Sequence, residues 1–245
     1  SMLYSIRHNF LFVHIPKTAG TSFRNGLLNV FSKQEILFDY GSKAPETDQE
    51  IHDLYKQEKP FSPQDVAKIA KRRKVRVLCG HFPLRKYVQV FPNASLISFL
   101  REPLQRCYSE YLHMRRHQNY DRSFDEFMKQ SRNQNLQSKF LKGWPEHGFF
   151  FICENYFFCL QDLAVRFDLQ VLLLTHNTYR QNVDAPYRQE EIGEEEAALF
   201  YEMNEEDVDL YDRVAGQWPE ESPGQPSTFR LRLRHFASLL RGEAK

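Results

Sequence analysis

Short apolar runs alternate with amphipathic segments along most of the 245-residue chain. Continuous apolar runs indicate strands buried on both faces of a sheet, and a period of 3.6 residues indicates helices. Strands are predicted at Phe10–His14, Glu35–Tyr40, Val75–Cys79, Leu96–Leu100 and Val171–Thr175. Helices are predicted at Ser22–Val30, Pro63–Arg73, Leu104–His117, Phe124–Gln130, Asn155–Arg166 and Glu194–Tyr201. Strands that alternate with helices predict an α/β fold of three layers, in which a mainly parallel sheet lies between helices.

The domain organisation follows from where this pattern stops. One domain is expected over residues 2–217, with the polar stretch 41–60 as a loop over the ligand-binding edge of the sheet. Residues 218–225 have the composition of a linker. The apolar residues after the linker fall on one stripe of a basic helix, namely Phe229, Leu233, Phe236 and Leu240. We therefore expect residues 218–245 to form a linker and an amphipathic helix that packs on the domain or on a second subunit of a homo-oligomer.

The charge is small in total but unevenly distributed. The formal net charge is +1, which argues against nucleic acid as a partner. Residues Lys68–Arg76 and Arg101–Arg122 are basic, whereas Glu190–Asp212 is strongly acidic. A local positive field of this kind attracts a negatively charged cofactor or glycan even though the whole protein is nearly neutral.

The cysteines and the apolar runs limit the remaining classes. Four cysteines in a chain of this size favour buried thiols over a disulfide scaffold, and their spacing predicts no metal site. No run reaches the roughly 18 apolar residues of a membrane helix, and no signal peptide precedes the first strand. The sequence thus favours the cytoplasm, or the Golgi lumen if a membrane anchor precedes these residues.

A phosphate-binding turn is indicated where the first strand ends. The chain passes His14 and then places a lysine, a glycine and three hydroxyl residues just before a helix: Lys17, Thr18, Gly20, Thr21 and Ser22. The N–H groups of a helix N-terminus suit an anion, and Gly20 lets the backbone approach it. The lysine precedes Gly20, so this is not a Walker loop. The alternative is an ordinary strand-to-helix turn whose hydroxyls are incidental.

A second motif has the same order of strand, turn and helix. Arg101 stands at the carboxyl end of the Leu96–Leu100 strand, where α/β sheets bind ligands. Pro103 suits the first turn of the helix that follows, and Ser109 lies about two turns further along it. A guanidinium and a hydroxyl so placed can bind one phosphate. The alternative for Arg101 is a structural role in capping the turn.

Together the two motifs resemble the cofactor-binding segments of carbohydrate sulfotransferases, which use 3′-phosphoadenosine 5′-phosphosulfate (PAPS). The run His-Ile-Pro-Lys-Thr-Ala-Gly-Thr-Ser is similar to their 5′-phosphosulfate loop, and Arg-Glu-Pro-x-x-Arg-x-x-Ser to their 3′-phosphate segment. Within the family the likeness is to the heparan sulfate 2-O-sulfotransferase group and its bacterial relatives. Three weaker segments also resemble the family: residues 133–141, 166–168 and 204–211.

The resemblance implies a P-loop-like fold and transfer of a sulfuryl group from PAPS to a hydroxyl of a glycan or another small acceptor, which can be anionic. No metal is implied. Arg101 and Ser109 would bind the 3′-phosphate, and Lys17 would also stabilise the departing phosphate. The 5′-phosphosulfate would lie against Lys17, Thr18, Ala19, Gly20, Thr21 and Ser22.

The acceptor hydroxyl needs a general base, and histidine is matched to neutral pH without tuning. His81 follows a predicted strand at the same sheet edge, and Gly80-His81 resembles the dipeptide that carries the base in 2-O-sulfotransferases. The alternative for His81 is a turn histidine bonded to backbone. His14 is the rival base, although its place on the strand favours a role in orienting the turn. Carboxylates in the 41–60 stretch stay open as bases: Glu46, Asp48 and Glu50.

Two other functions compete with sulfuryl transfer. A nucleotide kinase would need a Walker loop and an acidic magnesium ligand at a strand end, where this chain has Arg101. A non-catalytic module that binds polyanions would use the basic run 68–76, but it leaves the lysine-glycine turn unexplained. An anionic acceptor could contact four basic residues, which could equally form a solvated surface: Arg85, Lys86, Arg115 and Arg116.

Overall fold

A parallel sheet flanked by helices forms the centre of the computed structural model, which describes residues 8–144, 148–169 and 192–218. The five strands of this sheet are β1 Phe10–Val13, β2 Ile36–Asp39, β3 Val77–Gly80, β4 Ser95–Leu100 and β5 Phe149–Ile152. Their order across the sheet is β2-β3-β1-β4-β5, and every neighbouring pair is parallel. The predicted α/β fold is therefore confirmed.

The helices begin with α1 Gly20–Val30, α2 Gln49–Tyr55, α3 Pro63–Arg73, α4 Leu84–Tyr87 and α5 Pro103–His117. They continue with α6 Phe124–Met128, α7 Leu136–Leu141, α8 Tyr156–Phe167, α9 Glu194–Met203 and α10 Glu205–Ala215. The six helices predicted from the sequence are confirmed to within a few residues at each end. The bounds of α3 are as predicted, since Pro63 opens the helix and the Asp65 carboxylate accepts a hydrogen bond from the Ser62 N–H at 3.0 Å.

The strand order explains where a ligand would bind. β1 is the central strand, and all four of its residues are at most 2% exposed because helices cover both faces. The chain reaches β3 on one side of β1 and then crosses to β4 on the other. Open parallel sheets bind ligands at the carboxyl ends of the strands where the order reverses. The segments that follow β1, β3 and β4 meet at this edge.

Strand prediction was incomplete at one edge of the sheet. β5 pairs with β4 from Ile97↔Phe149 to Leu100↔Ile152, and the sequence analysis did not predict it. The strand has only four residues, and the three residues Cys153–Asn155 separate it from α8, so it is too short for a pattern of its own. The predicted strand Val171–Thr175 and the predicted C-terminal helix lie outside the described residues.

The polar stretch 41–60 was predicted to be a loop, and this is wrong in part because it contains α2. The Asp48 side chain caps this helix at the N–H of Glu50, and Arg73 of α3 forms an ion pair with Asp48 at 2.8 Å. Only Ile51 of α2 is buried, so the helix has no apolar period that a sequence pattern could detect. The Arg73 side chain is only 10% exposed, which removes one cation of the 68–76 run from any polyanion surface.

The cysteine prediction is also confirmed, since all four are free thiols and buried. Among the described residues, no group of three or more histidine, cysteine or acidic side chains is placed to hold a metal ion. None of the helices within 8–144, 148–169 and 192–218 combines the length and apolar character that crossing a bilayer requires.

A buried carboxylate joins the carboxyl ends of β2 and β3. Asp39 is 1% exposed and accepts hydrogen bonds from Tyr87 at 2.6 Å, Lys86 at 2.7 Å and Tyr55 at 2.8 Å. Burial alone would raise the pKa of Asp39, but the bonds from Lys86 and Tyr87 outweigh it and hold the pKa below its usual value. Gly80 packs so closely here that an added Cβ would lie 1.8 Å from the Asp39 carbonyl oxygen. The cluster therefore sets the position of the backbone just before His81.

We expect Asp39→Ala to lower the free energy of unfolding by about 3 kcal/mol, because it leaves the buried hydroxyls and the Lys86 ammonium without their acceptor. Urea unfolding followed by circular dichroism measures the change. The matched control is Asp53→Ala on α2, whose side chain is 61% exposed and should contribute less than about 1 kcal/mol. Equal losses in the two variants would contradict the role given to Asp39.

Candidate functional site

The turn after β1 has an unusual backbone conformation and leads directly into the N-terminus of α1. Lys17 and Ala19 have left-handed φ angles of 68° and 64°, which cost about 1 kcal/mol each in residues other than glycine. The Thr18 hydroxyl is buried and donates to the Ile15 carbonyl at 2.7 Å, so it stabilises the turn itself. Ala19 is the N-cap of α1 and supplies no side-chain acceptor, which leaves the first N–H groups of the helix for an anion.

Two arginines of the second motif hold the carbonyl groups of this turn. The Arg101 guanidinium donates to the Lys17 carbonyl, and the Arg106 guanidinium donates to the Pro16 carbonyl, both at 3.3 Å. In a trans peptide the N–H points opposite to the preceding C=O, so the N–H groups of Lys17 and Thr18 face away from the arginines. The two motifs predicted from the sequence are therefore in direct contact.

A cavity of about 490 Å³ opens at this contact. The predicted residues that line it are Lys17, Thr18, Ala19, Gly20, Thr21, Ser22, His81 and Arg101. The structure does not place the remaining predicted residue, Ser109, on this wall, because Ser109 is 3% exposed inside α5. Its neighbour Glu110 lines the cavity instead.

The backbone determines which nitrogen of His81 carries a proton. His81 Nδ1 lies 2.6 Å from the His14 carbonyl oxygen, and a carbonyl can only accept, so Nδ1 is the donor. Nε2 then has the lone pair that a general base needs. The surrounding cavity walls desolvate His81 and lower its pKa. The bond to the His14 carbonyl acts in the opposite direction but does not outweigh the desolvation. Part of the residue is still exposed at the mouth of the cavity. The imidazole is therefore neutral at pH 7. The sequence alternatives of a base and of a turn histidine describe the two nitrogens of one ring.

The rival base His14 is deeply buried, with 4% exposure. Its Nδ1 lies 2.8 Å from the Tyr40 hydroxyl, and its ring centroid lies 4.4 Å from that of His81. Burial holds the pKa of His14 well below its usual value, and the adjacent His81 ring and the Arg24 guanidinium further disfavour a proton on it. His14 is thus a neutral imidazole inside the wall of the cavity.

The three carboxylates considered as general bases differ in whether they line the cavity. Glu46 lines the cavity and lies 4.0 Å from Arg24, which also lines it. Asp48 and Glu50 instead pair with Arg73 at 2.8 and 3.5 Å on the outer side of α2. Of these three candidates, only Glu46 is placed to meet a ligand in the cavity.

The basic residues considered for an anionic acceptor do not line the cavity. Lys86 is bound to Asp39, and its ammonium lies about 5 Å from the ring centroids of Tyr55 and Tyr87. The Arg115 guanidinium stacks on the Tyr111 ring at 5.6 Å. The other two, Arg85 and Arg116, are exposed outside it.

Comparison with known proteins identifies the family. The model of the sulfotransferase family matches residues 1–153, which is more than half of the chain and includes both motifs. The chain belongs to the sulfotransferase family. A comparison with the curated proteins gives no match.

Two solved sulfotransferase structures are similar to this chain. A mouse sulfotransferase complexed with PAP is 10% identical, with 86% of this chain and 87% of that chain covered and a TM-score of 0.53. A sulfotransferase from Alicyclobacillus acidocaldarius is 18% identical, with 85% and 96% covered and a TM-score of 0.45. The likeness to the mouse structure supports the fold alone.

In this family member, two segments that only weakly resembled the family hold the backbone of Arg101. Gln137 is fully buried, and its amide donates to the Arg101 carbonyl at 2.8 Å and accepts from the Arg101 N–H at 3.0 Å. The Asp207 carboxylate accepts from the N–H groups of Gln137 and Ser138 at 3.1 and 2.7 Å, which fixes the start of α7. The sequence analysis quoted both segments but assigned these residues no role, because a bond to backbone leaves no pattern in the sequence.

Arg106 is the second arginine of the Arg-Glu-Pro-x-x-Arg-x-x-Ser motif, to which the sequence analysis assigned no role. Its side chain is 2% exposed, and besides the Pro16 carbonyl it binds the Glu110 carboxylate at 2.7 Å. The available signal was an arginine four residues before a glutamate on a helix, which usually indicates only a surface ion pair. Its burial is what makes it part of the site.

We expect Arg106→Lys to loosen the turn after β1, because the shorter lysine side chain cannot carry its ammonium to the position of Nη1, the atom that donates to both Pro16 and Glu110. Hydrogen exchange of the Phe23 amide, which donates to the Ala19 carbonyl at the end of this turn, should become at least about tenfold faster, which corresponds to about 1.4 kcal/mol. Arg115→Lys on the exposed face of α5 is the matched control and should leave this exchange unchanged. Equal protection in both variants would show that the turn does not depend on Arg106.

Proposed function

We propose that this protein transfers the sulfuryl group of PAPS to a hydroxyl of a carbohydrate acceptor. The observation that carries the proposal is the contact between the two anion-binding motifs, where Arg101 lies 3.3 Å from the Lys17 carbonyl in the cavity that also contains His81. A ligand with a 5′-phosphosulfate and a separate 3′-phosphate matches two adjacent cationic sites. Membership of the sulfotransferase family and the PAP bound to the mouse structure support the same ligand.

The residues present fit such a ligand. The uncapped N-terminus of α1 offers backbone N–H groups to the 5′-phosphosulfate, and Lys17 adds a positive charge beside it. A guanidinium has five N–H donors, and the bond to the Lys17 carbonyl uses one of those on Arg101. We assign the 3′-phosphate to Arg101, which lines the cavity; the role that the family motif implies for Ser109 stays a prediction, because Ser109 does not line it. PAPS supplies an activated sulfuryl group with a phosphate as its leaving group.

The transfer is written as an in-line displacement. The acceptor oxygen forms the new bond to sulfur, and its proton passes to Nε2 of His81. The bond between sulfur and the bridging phosphate oxygen breaks, and its electron pair stays on that oxygen. The products are adenosine 3′,5′-bisphosphate (PAP) and a sulfate ester. Lys17 and the N–H groups of α1 stabilise the charge that develops on this oxygen.

The acceptor side of the cavity supports a hydroxyl-rich ligand. Glu46, Glu110 and Gln118 line it together with His113 and Met114, and carboxylates and amides are suitable partners for sugar hydroxyls. Because the four basic residues considered above lie outside the cavity, a neutral carbohydrate is the better match than a polyanion. Neutral and uronate-containing oligosaccharides, compared as acceptors with labelled PAPS, test this choice directly.

PAP should raise the midpoint of thermal unfolding, whereas ATP should not, because only PAP has a 3′-phosphate for Arg101. Arg101→Ala should weaken PAP binding by about 10- to 100-fold, the loss expected for charged hydrogen bonds of 1.5–3 kcal/mol. Arg85→Ala, an exposed arginine outside the cavity, is the control and should bind like the wild type. Calorimetric titration measures each dissociation constant, and stabilisation by ATP alone would favour the kinase alternative.

His81→Ala should lower the rate of transfer by at least about 100-fold while PAP affinity stays nearly intact, because the base acts on the acceptor hydroxyl. The pKa of His81 lies below its ordinary value of 6.5, and the neutral form is the active one. The wild-type kcat/KM should therefore be flat at neutral pH and fall only in acid, below about pH 6.5. His117→Ala at the exposed end of α5 serves as the control. Turnover of His81→Ala within tenfold of wild type would place the base elsewhere.

A further inference from the structure

We propose that His14 is a second imidazole of the active site, which donates a hydrogen bond from Nε2 to the anion bound at the N-terminus of α1. This inference rests on the proposed function, because it assumes that the phosphosulfate of PAPS lies against that terminus. It assigns His14 a donor role that is opposite to the base role of His81.

The position of the ring is fixed on three sides. The His14 ring stacks on Phe12 with an angle of 7° between the planes, and it contacts His81 at a centroid distance of 4.4 Å. On the third side it covers Gly20, the first residue of α1, where an added Cβ would lie 1.9 Å from Nε2. Nε2 therefore lies directly over the helix N-terminus, and His14 lines the cavity there.

The hydrogen bonds around Tyr40 determine the tautomer of His14. Tyr40 has one hydroxyl proton and two neighbours that could accept it, His14 Nδ1 at 2.8 Å and Cys79 Sγ at 3.3 Å. Its third neighbour, the Arg24 guanidinium, can only donate. Burial raises the pKa of the Cys79 thiol to about 12, so the thiol is protonated and can donate to the Tyr40 oxygen. The imidazole nitrogen is the stronger acceptor and the nearer one, so the Tyr40 hydroxyl donates to it.

The proton of the neutral ring is consequently on Nε2, because Nδ1 accepts from Tyr40 and a neutral imidazole carries one N–H. Burial, together with His81 and Arg24, keeps His14 neutral by lowering its pKa. In the part of the chain that the structure describes, Nδ1 is the nitrogen of His14 that is hydrogen-bonded. The other nitrogen, with its proton, is directed to the place of the anion.

The two adjacent imidazoles therefore have opposite roles, one as an acceptor and the other as a donor at Nε2. His81 donates from Nδ1 to the His14 carbonyl and keeps a lone pair on Nε2, whereas His14 accepts at Nδ1 and keeps a proton on Nε2. A neutral, preorganised donor in a water-poor site stabilises charge on a non-bridging sulfuryl or phosphate oxygen as the transfer proceeds. The same tautomer excludes His14 as the general base.

The first test observes the proton itself. In protein labelled with ¹⁵N-histidine, the ring nitrogens of His14 should show a protonated Nε2 and an unprotonated Nδ1 over the neutral pH range, assigned by comparison with His14→Gln. Addition of PAP should shift the Nε2 resonance and its proton. Tyr40→Phe removes the donor to Nδ1 and should broaden or shift this tautomer. A proton found on Nδ1 in the wild type would overturn the proposal.

The second test separates the donor from the bulk of the ring. His14→Met keeps a similar volume without a donor and should lower the rate of transfer by about 100- to 1000-fold, the range for loss of one such donor. His14→Gln keeps an N–H near the place of Nε2 and should recover at least tenfold of that loss. Equal rates for the two variants at unchanged thermal stability would show that the donor is not needed.

The contact between His14 and Gly20 can be tested by comparing two single variants with the double variant, which remains informative if one single variant folds less well. Gly20→Ala should weaken PAP binding by displacing the His14 ring, and the same change should cost much less in a His14→Ala background, as a double-mutant cycle would measure. Additive effects would contradict the contact.

Failure of the proposed function looks different from failure of this inference. If the wild type binds no PAP and transfers no sulfuryl group, the proposed function is wrong whatever the tautomer of His14. If the wild type does both, and His14→Met matches it in rate and in PAP affinity, only the role of His14 is wrong.

Discussion

The contact between the guanidinium groups of Arg101 and Arg106 and the carbonyls of Lys17 and Pro16 is the interaction on which the site depends. It turns the N–H groups of the loop away from the arginines and keeps Lys17 in a left-handed conformation that it would not prefer alone. Gln137 binds the backbone of Arg101, and Glu110 binds the side chain of Arg106. The two arginines are therefore fixed, and the second motif determines the shape of the loop. The conformation of the turn before α1 therefore depends on two distant segments and not on the loop sequence alone.

The residues that fix these arginines are themselves bound by residues of later helices. Gln137 binds both backbone groups of Arg101, and Asp207 on α10 binds the N–H groups that begin α7. Glu154 accepts from the Glu102 N–H at 2.8 Å, and Glu102 in turn caps α5. Burial raises the pKa of Glu102 to about 7, yet hydrogen bonds from two N–H groups and from Tyr201 stabilise its charged form. A change in α9 or α10 can thus reach the site without touching a ligand.

Sequence patterns could predict the fold and the two motifs, because strand periodicity, helix caps and charged residues at strand ends act over short distances along the chain. They could not predict β5, which has only four residues, or α2, which has one buried residue. The donors to backbone carbonyls were beyond reach for a related reason. Arg106 and Gln137 have ordinary surface-type sequence surroundings, and only the three-dimensional contact makes them buried and paired. Ser109 shows the converse, since its motif position did not bring it to the cavity wall.

The two histidines show how a backbone fold can assign chemistry to identical side chains. One carbonyl, that of His14, sets the proton of His81 on Nδ1, while one hydroxyl, that of Tyr40, leaves the proton of His14 on Nε2. Neither assignment requires a charged partner. Because the same residue supplies the carbonyl and the second ring, a displacement of His14 would disturb both histidines. A variant that moves its backbone should thus affect base and donor together, whereas a side-chain change at position 14 should affect the donor and leave the tautomer of His81 intact.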